Sequence, residues 1–115
     1  MSIPPEILSL VEQLIQELDR IEQQANMGLN IASQLLERFP DNARLIGLSA
    51  NLGNVLFFVD SFRTRIENII QNISGTNVSS ETIQQAGEEL SEFWGRILEC
   101  KMLVNRSVGS LEDLP

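Results

Sequence analysis

The stretch that decides the fold is residues 45–59, LIGLSANLGNVLFFV, which carries no charge between Arg44 and Asp60. It lies within a longer run in which apolar residues recur at alternating steps of three and four. The members of this seam are Leu45, Leu48, Leu52, Val55, Val59, Phe62, Ile66, Ile69 and Ile73. Such steps keep the side chains on one side of an α-helix, whereas a half-buried strand would show period two. The sequence therefore predicts a long central helix.

The same stretch has a second face that is unusual for a surface helix, which normally carries charged residues away from its seam. Here those positions are small or apolar: Ile46, Ala50, Gly53 and Phe57, with Gly47 and Phe58 further round. Glycine inside a helix costs about 1 kcal/mol relative to alanine, and close packing by another helix would offset that cost. The helix that packs on this face could belong to the chain itself or to a second subunit, and the sequence leaves both alternatives open.

The segments on either side repeat the seam. In the first segment it consists of Ile7, Val11, Leu14, Leu18, Ile21, Ala25, Gly28, Ala32, Leu35 and Phe39. In the third it consists of Ile83, Ala86, Leu90, Phe93, Ile97, Cys100 and Val104. Three seams and two short links predict an all-α, up-down-up antiparallel three-helix bundle with left-handed, coiled-coil-like packing. The small residues in the middle of the first seam should let a neighbouring helix approach closely.

Residues that favour helix ends set the expected boundaries within a single domain. The predicted helices span about 5–38, 42–74 and 80–107, followed by a flexible acidic tail over 109–115. We expect Asp41 to cap the N-terminus of the second helix and Gly75 to cap its C-terminus. Ser79 or Ser80 should cap the third helix, and Gly109 should follow it.

Composition excludes several classes of partner. The 115 residues are 43% hydrophobic, which is enough for one core, and the net charge of −8 argues against nucleic acid. The uncharged stretch is shorter than the roughly 18 residues that cross a bilayer, and Asn51 and Asn54 interrupt it, so no membrane contact is expected. Residues 1–10 lack the basic and continuous apolar regions of an export signal, and Cys100 is the only cysteine, so a cytoplasmic location is expected.

The chain lacks the residues of the common catalytic and metal motifs. With no histidine it has neither a Ser-His or Cys-His pair nor a His-containing zinc or di-iron motif. Glu88 and Glu92 share a helix face, but a solvated acidic face is the expected role of such pairs. Cys100 lies on a seam and should be a core residue, although the adjacent Lys101 would favour a reactive thiolate. We therefore expect no enzyme activity, no cofactor and no metal.

The leading functional hypothesis is a non-enzymatic protein that acts through helix–helix contacts, as a homodimer formed through helix 2. Its candidate interface residues are Ile46, Ala50, Gly53, Phe57, Phe58, Trp94, Leu98 and Met102. The alternative is an acidic adaptor or inhibitor subunit that binds a basic protein. Acidic residues outnumber basic ones six to two over residues 1–39 and seven to three over residues 75–115. A small-molecule sensor or enzyme with its ligand near Trp94 ranks last, and no residue indicates the biological process.

Overall fold

The computed structural model describes residues 3–75 and 77–113, and over these residues the chain is an all-α bundle without strands. Its helices are α1 (Pro5–Arg38), α2 (Ala43–Ile73) and α3 (Ser80–Glu112), and every pair of them is in contact. They run side by side in a rod of 59 × 17 × 16 Å. The three-helix bundle predicted from the three seams is confirmed.

The seams form most of the core, although Phe39, the last residue predicted for the first seam, lies beyond α1 and is 52% exposed. The large side chains that are fully buried all belong to them: Leu14, Leu18, Ile21, Leu45, Leu52, Val55, Val59, Ile66, Leu90, Ile97 and Val104. Each buried leucine or isoleucine contributes about 1.5–3 kcal/mol relative to an exposed one. The seam side of each helix is thus committed to the other two helices.

The three helices come closest at the small residues of α1. Gly28 is buried, and a Cβ atom added there would lie 2.8 Å from Leu52 Cδ1 and 3.1 Å from Val108 Cγ2. Ala25 and Ala32, one turn away on either side, are also fully buried. The close approach predicted from these small residues is therefore found, and it aligns the first third of α2 with the end of α3.

The helix ends confirm some of the expected caps and correct others. Asn42, not Asp41, caps α2: its side-chain oxygen accepts a hydrogen bond of 3.1 Å from the backbone N–H of Leu45. Asp41 instead lies within a turn closed by the Asn42 N–H, which donates to the Phe39 carbonyl at 3.1 Å. Ser79 caps α3 as expected, and it accepts a hydrogen bond of 3.1 Å from the Thr82 N–H.

The helix α2 ends at Ile73, within one residue of the predicted end, but the predicted glycine cap is wrong, because Ser74 is the capping residue. The Ser74 hydroxyl donates to the Ile70 carbonyl at 2.5 Å, which satisfies one of the orphan acceptors of the last turn. No glycine within the described ranges adopts a positive φ, so Gly75 does not form the left-handed cap that was expected.

The expectation that the third helix ends near 107 is also wrong. α3 continues through Gly109 to Glu112, and the Asp113 N–H donates to the Gly109 carbonyl at 3.1 Å. The added turn places Leu111 in the core, where it is only 2% exposed. Burial of this leucine outweighs the roughly 1 kcal/mol cost of a helical glycine. The last part of the predicted tail, residues 114–115, lies outside the described residues.

We predict that Leu52→Ala lowers the free energy of unfolding by about 2–5 kcal/mol, because it empties a fully buried position that faces Gly28. Urea denaturation followed by circular dichroism measures the change. The neighbouring Asn51→Ala, at an exposed position, should shift the free energy by less than about 0.5 kcal/mol. Equal effects of the two substitutions would contradict the core assignment.

Candidate interaction surface

The second face of α2 lies on the outside of the bundle. Ile46, Ala50, Gly53 and Phe57, which we call the α2 stripe, are all exposed. Their steps of four, three and four residues, at about 100° per residue, place them on the side of α2 opposite the seam. Ile46 is 51% exposed and Phe57 68%. The chain's own helices therefore do not cover this face.

The centre of the α2 stripe is sterically open. A Cβ atom added at Gly53 would meet no atom within 4 Å, and the same holds for Gly47 on the flank of the stripe. These glycines differ from Gly28, where an added Cβ would press on Leu52. Their small size is therefore not explained by packing within the bundle.

One flank of the stripe opens into a groove between α2 and α3, with a volume of about 900 Å³. Phe58, 47% exposed, lines this groove from α2, and Leu103 lines it from α3. The charged residues along this groove are Asp60, Arg65, Arg96 and Glu99. The Arg65 guanidinium lies 5.4 Å from the centre of the Phe93 ring, a cation–π distance. With two acidic and two basic residues, the groove offers an apolar surface without a net charge.

The candidate residues of α3 do not join this surface. Trp94 and Leu98 follow Gly87 by seven and eleven residues and so share its side of the helix. That side faces α1, because a Cβ atom at Gly87 would lie 3.9 Å from Ile7 Cδ1. Trp94 is half-buried against the core, and Met102 is exposed. None of the three α3 candidates lines the groove, so the eight predicted residues form two separate regions.

Two ionic clusters between helices were not foreseen from the sequence. Arg63 of α2 binds Glu22 and Asp19 of α1, the latter at 2.6 Å, and the hydrogen bond to Glu22 is the main factor that raises the pKa of Arg63. Glu17 is buried in α1, where Lys101 Nζ of α3 lies 3.1 Å from its Oε1 and Arg20 Nη1 donates to its Oε2 at 3.2 Å. The Lys101 contact is an ion pair without the directionality of a hydrogen bond. These clusters occupy both flanks of α1 and leave the α2 stripe free of them.

Cys100 is half-buried and packs against the core, in line with its place on the seam. Burial raises the pKa of its thiol, and the adjacent Glu99 carboxylate raises it further. Lys101, the residue that would have favoured a thiolate, binds Glu17 instead. In residues 3–75 and 77–113, no three His, Cys, Asp or Glu side chains are grouped as a metal site would require.

Among the described helices, α2 is long and apolar enough to cross a membrane, judged by length and composition alone. A core helix of a soluble protein can satisfy the same test. Its most apolar 18-residue window has a mean hydropathy of 1.4, and only 28% of that window is buried in the bundle. The apolar character of α2 therefore comes from its exposed side as well as its seam.

Comparison with protein-family models, with curated proteins and with solved structures found no match to this chain. The α2 stripe must therefore be interpreted from its own geometry and chemistry.

We predict that the Cys100 thiol of the folded protein reacts with iodoacetamide more slowly than the same thiol in the urea-unfolded chain. Its raised pKa leaves less thiolate at neutral pH, and its half-buried position limits access. The rate should rise with pH along a curve displaced to higher pH than that of the unfolded chain. A folded-state rate equal to or above the unfolded one would contradict the assignment as a packing residue.

Proposed function

We propose that this chain is a non-enzymatic helical-bundle protein that acts through helix–helix contacts and associates with a second copy through the α2 stripe. The observation that supports this most is the exposed pair Ile46 and Phe57, with two small residues between them, on the outward side of α2. A helix normally places charged or polar groups there. Exposed contiguous apolar surface of this kind marks protein contact sites.

The exposed surface of α1 differs from that of α2. Exposed residues of α1 are mainly polar, including Glu12, Gln16, Arg20 and Gln23. Its exposed large apolar residues, Leu8 and Met27, stand alone and far apart. On α2, three such residues lie within 13 positions: Ile46, Phe57 and Phe58. Single exposed apolar residues are ordinary on soluble proteins, whereas a cluster on one helix requires an explanation.

The small residues between Ile46 and Phe57 favour a helix as the partner. Ala50 and Gly53 leave a shallow depression in the stripe, and nothing in the bundle fills the space above Gly53. A second helix can approach such a site closely, which increases the contact made by the larger residues at either end. The cost of Gly53 in a helix is then offset by that contact.

The size of the α2 stripe determines how strongly two copies are expected to associate. At 1.5 Å per residue, the distance from Ile46 to Phe57 is about 16 Å, and stable interfaces bury roughly 800 Å² on each partner. A stripe of that length on one helix, which is about 10 Å wide, offers less than this area. We therefore expect a reversible dimer whose population depends on concentration.

A second candidate function is supported by a different surface. Glu88, Glu89 and Glu92 are exposed together on α3, and only three basic residues accompany seven acidic ones over residues 75–115. This acidic face suits an adaptor or inhibitor that binds a basic protein through charge. Such a complex would dissociate in salt, whereas an apolar α2 contact would not.

We predict that Ile46→Gln together with Phe57→Gln abolishes self-association in sedimentation velocity. The wild-type mass should rise with concentration from 12.9 kDa toward twice that value, while the variant stays at 12.9 kDa. Because both side chains are largely exposed, the free energy of unfolding measured in urea should change by no more than about 0.5 kcal/mol.

The matched control is Met27→Gln, which removes similar exposed apolar surface from α1. It should associate like the wild type. Met102→Gln tests the separate α3 region in the same way. A wild-type chain that stays monomeric at every concentration, or a Met27 variant that dissociates equally, would contradict the proposal.

We further predict that two substitutions of Gly53, at the open centre of the stripe, act differently, one on stability and the other on self-association. Gly53→Ala should raise the free energy of unfolding by about 1 kcal/mol, because alanine favours the helix and meets no neighbour. Gly53→Leu should leave the bundle folded but weaken self-association, because its side chain fills the depression. Circular dichroism and sedimentation measure the two effects, and a fully associating Gly53→Leu variant would contradict the role given to the small residues.

A further inference from the structure

From the groove beside the α2 stripe we infer that a second copy of this chain covers more than the stripe, and that its α2 also packs over the groove between α2 and α3. The inference rests on the proposed association through the α2 stripe. It adds the α3 side of the interface, with Leu103 and Cys100 among the covered residues. The occupant of the groove is thus a helix of the second copy.

The groove and the α2 stripe form one continuous apolar surface. Phe57 ends the stripe and also lines the groove, and its ring lies edge to face with that of Phe58, with 6.2 Å between the ring centres. Leu103 lines the groove from α3. Phe62 lines it as well, but it is buried and packs on Phe93 of α3 at 5.5 Å between ring centres. A helix that covers the stripe therefore meets the groove directly beside it.

The opposite flank of the stripe, toward α1, is closed to such a contact. Arg63 bridges α2 to Asp19 and Glu22 of α1 there. Covering these paired charges would remove them from water without giving them a new partner, which is unfavourable. Within the part of the chain that the structure describes, no ion pair joins α2 to α3. The α3 side is therefore the flank that a second copy covers at the lower cost in desolvation.

The groove adds contact area that the stripe by itself does not offer. Its α2 residues continue from Phe57 to Arg65, so stripe and groove together extend from Ile46 to Arg65, about 28 Å along the helix. Including α3 makes the surface two helices wide, with the helix axes about 8–10 Å apart. Such a surface approaches the roughly 800 Å² that each partner buries in a stable dimer.

The charges of this surface permit two copies to meet. The whole chain carries a net charge of −8, so two copies repel each other over most of their surface. Along the groove, Asp60 and Glu99 are balanced by Arg65 and Arg96, and the stripe has no charged residue. Contact through stripe and groove therefore brings together parts of the two chains that carry no net charge.

Cys100 reports directly on the groove, because it lines the groove and is the only cysteine. Wild-type protein is treated with excess iodoacetamide at concentrations below and above the midpoint of association in sedimentation, and alkylation is followed by mass spectrometry. We predict that the rate constant falls about tenfold when about nine-tenths of the chains are paired, because only unpaired chains then react. The variant that combines Ile46→Gln with Phe57→Gln should show no such fall.

The matched control is Gln23→Cys in a Cys100→Ser background. Gln23 is exposed on α1 beside Glu22, which binds Arg63, so it lies near the level of the groove on another side of the rod. Its alkylation rate should not change with protein concentration. Equal protection at position 23 would indicate unspecific aggregation and overturn the inference.

The outcomes separate this inference from the proposed function. A mass that doubles while the Cys100 rate stays constant would overturn the covering of the groove and leave association through the stripe intact. A monomeric mass at every concentration would overturn the proposed function itself. Protection of Cys100 in the monomer by phosphatidylcholine vesicles would assign the groove to a lipid surface and overturn the inference.

Phe58→Gln tests how much the groove contributes to pairing, because Phe58 lies about 100° round α2 from Phe57 and outside the stripe. The dissociation constant from sedimentation should rise about fivefold or more, as for a large side chain buried at an interface. Leu8→Gln, which removes a side chain of similar exposure from α1, should leave it unchanged. Both variants should keep the helical circular dichroism of the wild type. An unchanged dissociation constant in Phe58→Gln would contradict the covering of the groove.

Discussion

Burial of three apolar seams against one another is the constraint on which the rest of this structure depends. Each seam returns to the same side of its helix every three and a half residues, so each helix can turn only that side inward. The layer at Gly28 shows how tightly the constraint acts, since Leu52 and Val108 already occupy the space that a Cβ atom would need there. The orientation of every other residue follows from this commitment.

That constraint explains why α2 differs from its neighbours. Its seam is used by α1 and α3, so the stripe on its other side is left outside the bundle. The charged residues that tie the helices together, Arg63 with α1 and Lys101 with Glu17, lie at the edges of the seams and not on the stripe. The result is a rod with acidic or polar outer faces on two helices and, over residues 46–57, an uncharged outer face on the third. Such asymmetry favours an interaction surface over a site of chemistry.

The sequence predicted most of the fold because the seams are long and regular. The sequence predicted the helix ends less well, because neighbouring residues compete for the capping position. Asn42 rather than Asp41 caps α2, since Asp41 is used by the turn after Phe39. α3 passes through Gly109 because Leu111 reaches the core, and that gain depends on contacts with the other helices. The local preference of a glycine does not contain this information.

By itself, the sequence determined the helical class, the inward side of each helix and the absence of histidine-based chemistry, because these depend only on spacing and residue type. Tertiary structure alone decided whether the α2 stripe is covered and whether Trp94 and Leu98 share a surface with it. Those outcomes depend on how the three helices are rotated about the axis of the bundle, and the spacing of residues in the sequence does not specify these angles. The same holds for the ion pair of Glu17 with Lys101, which joins residues far apart in the chain.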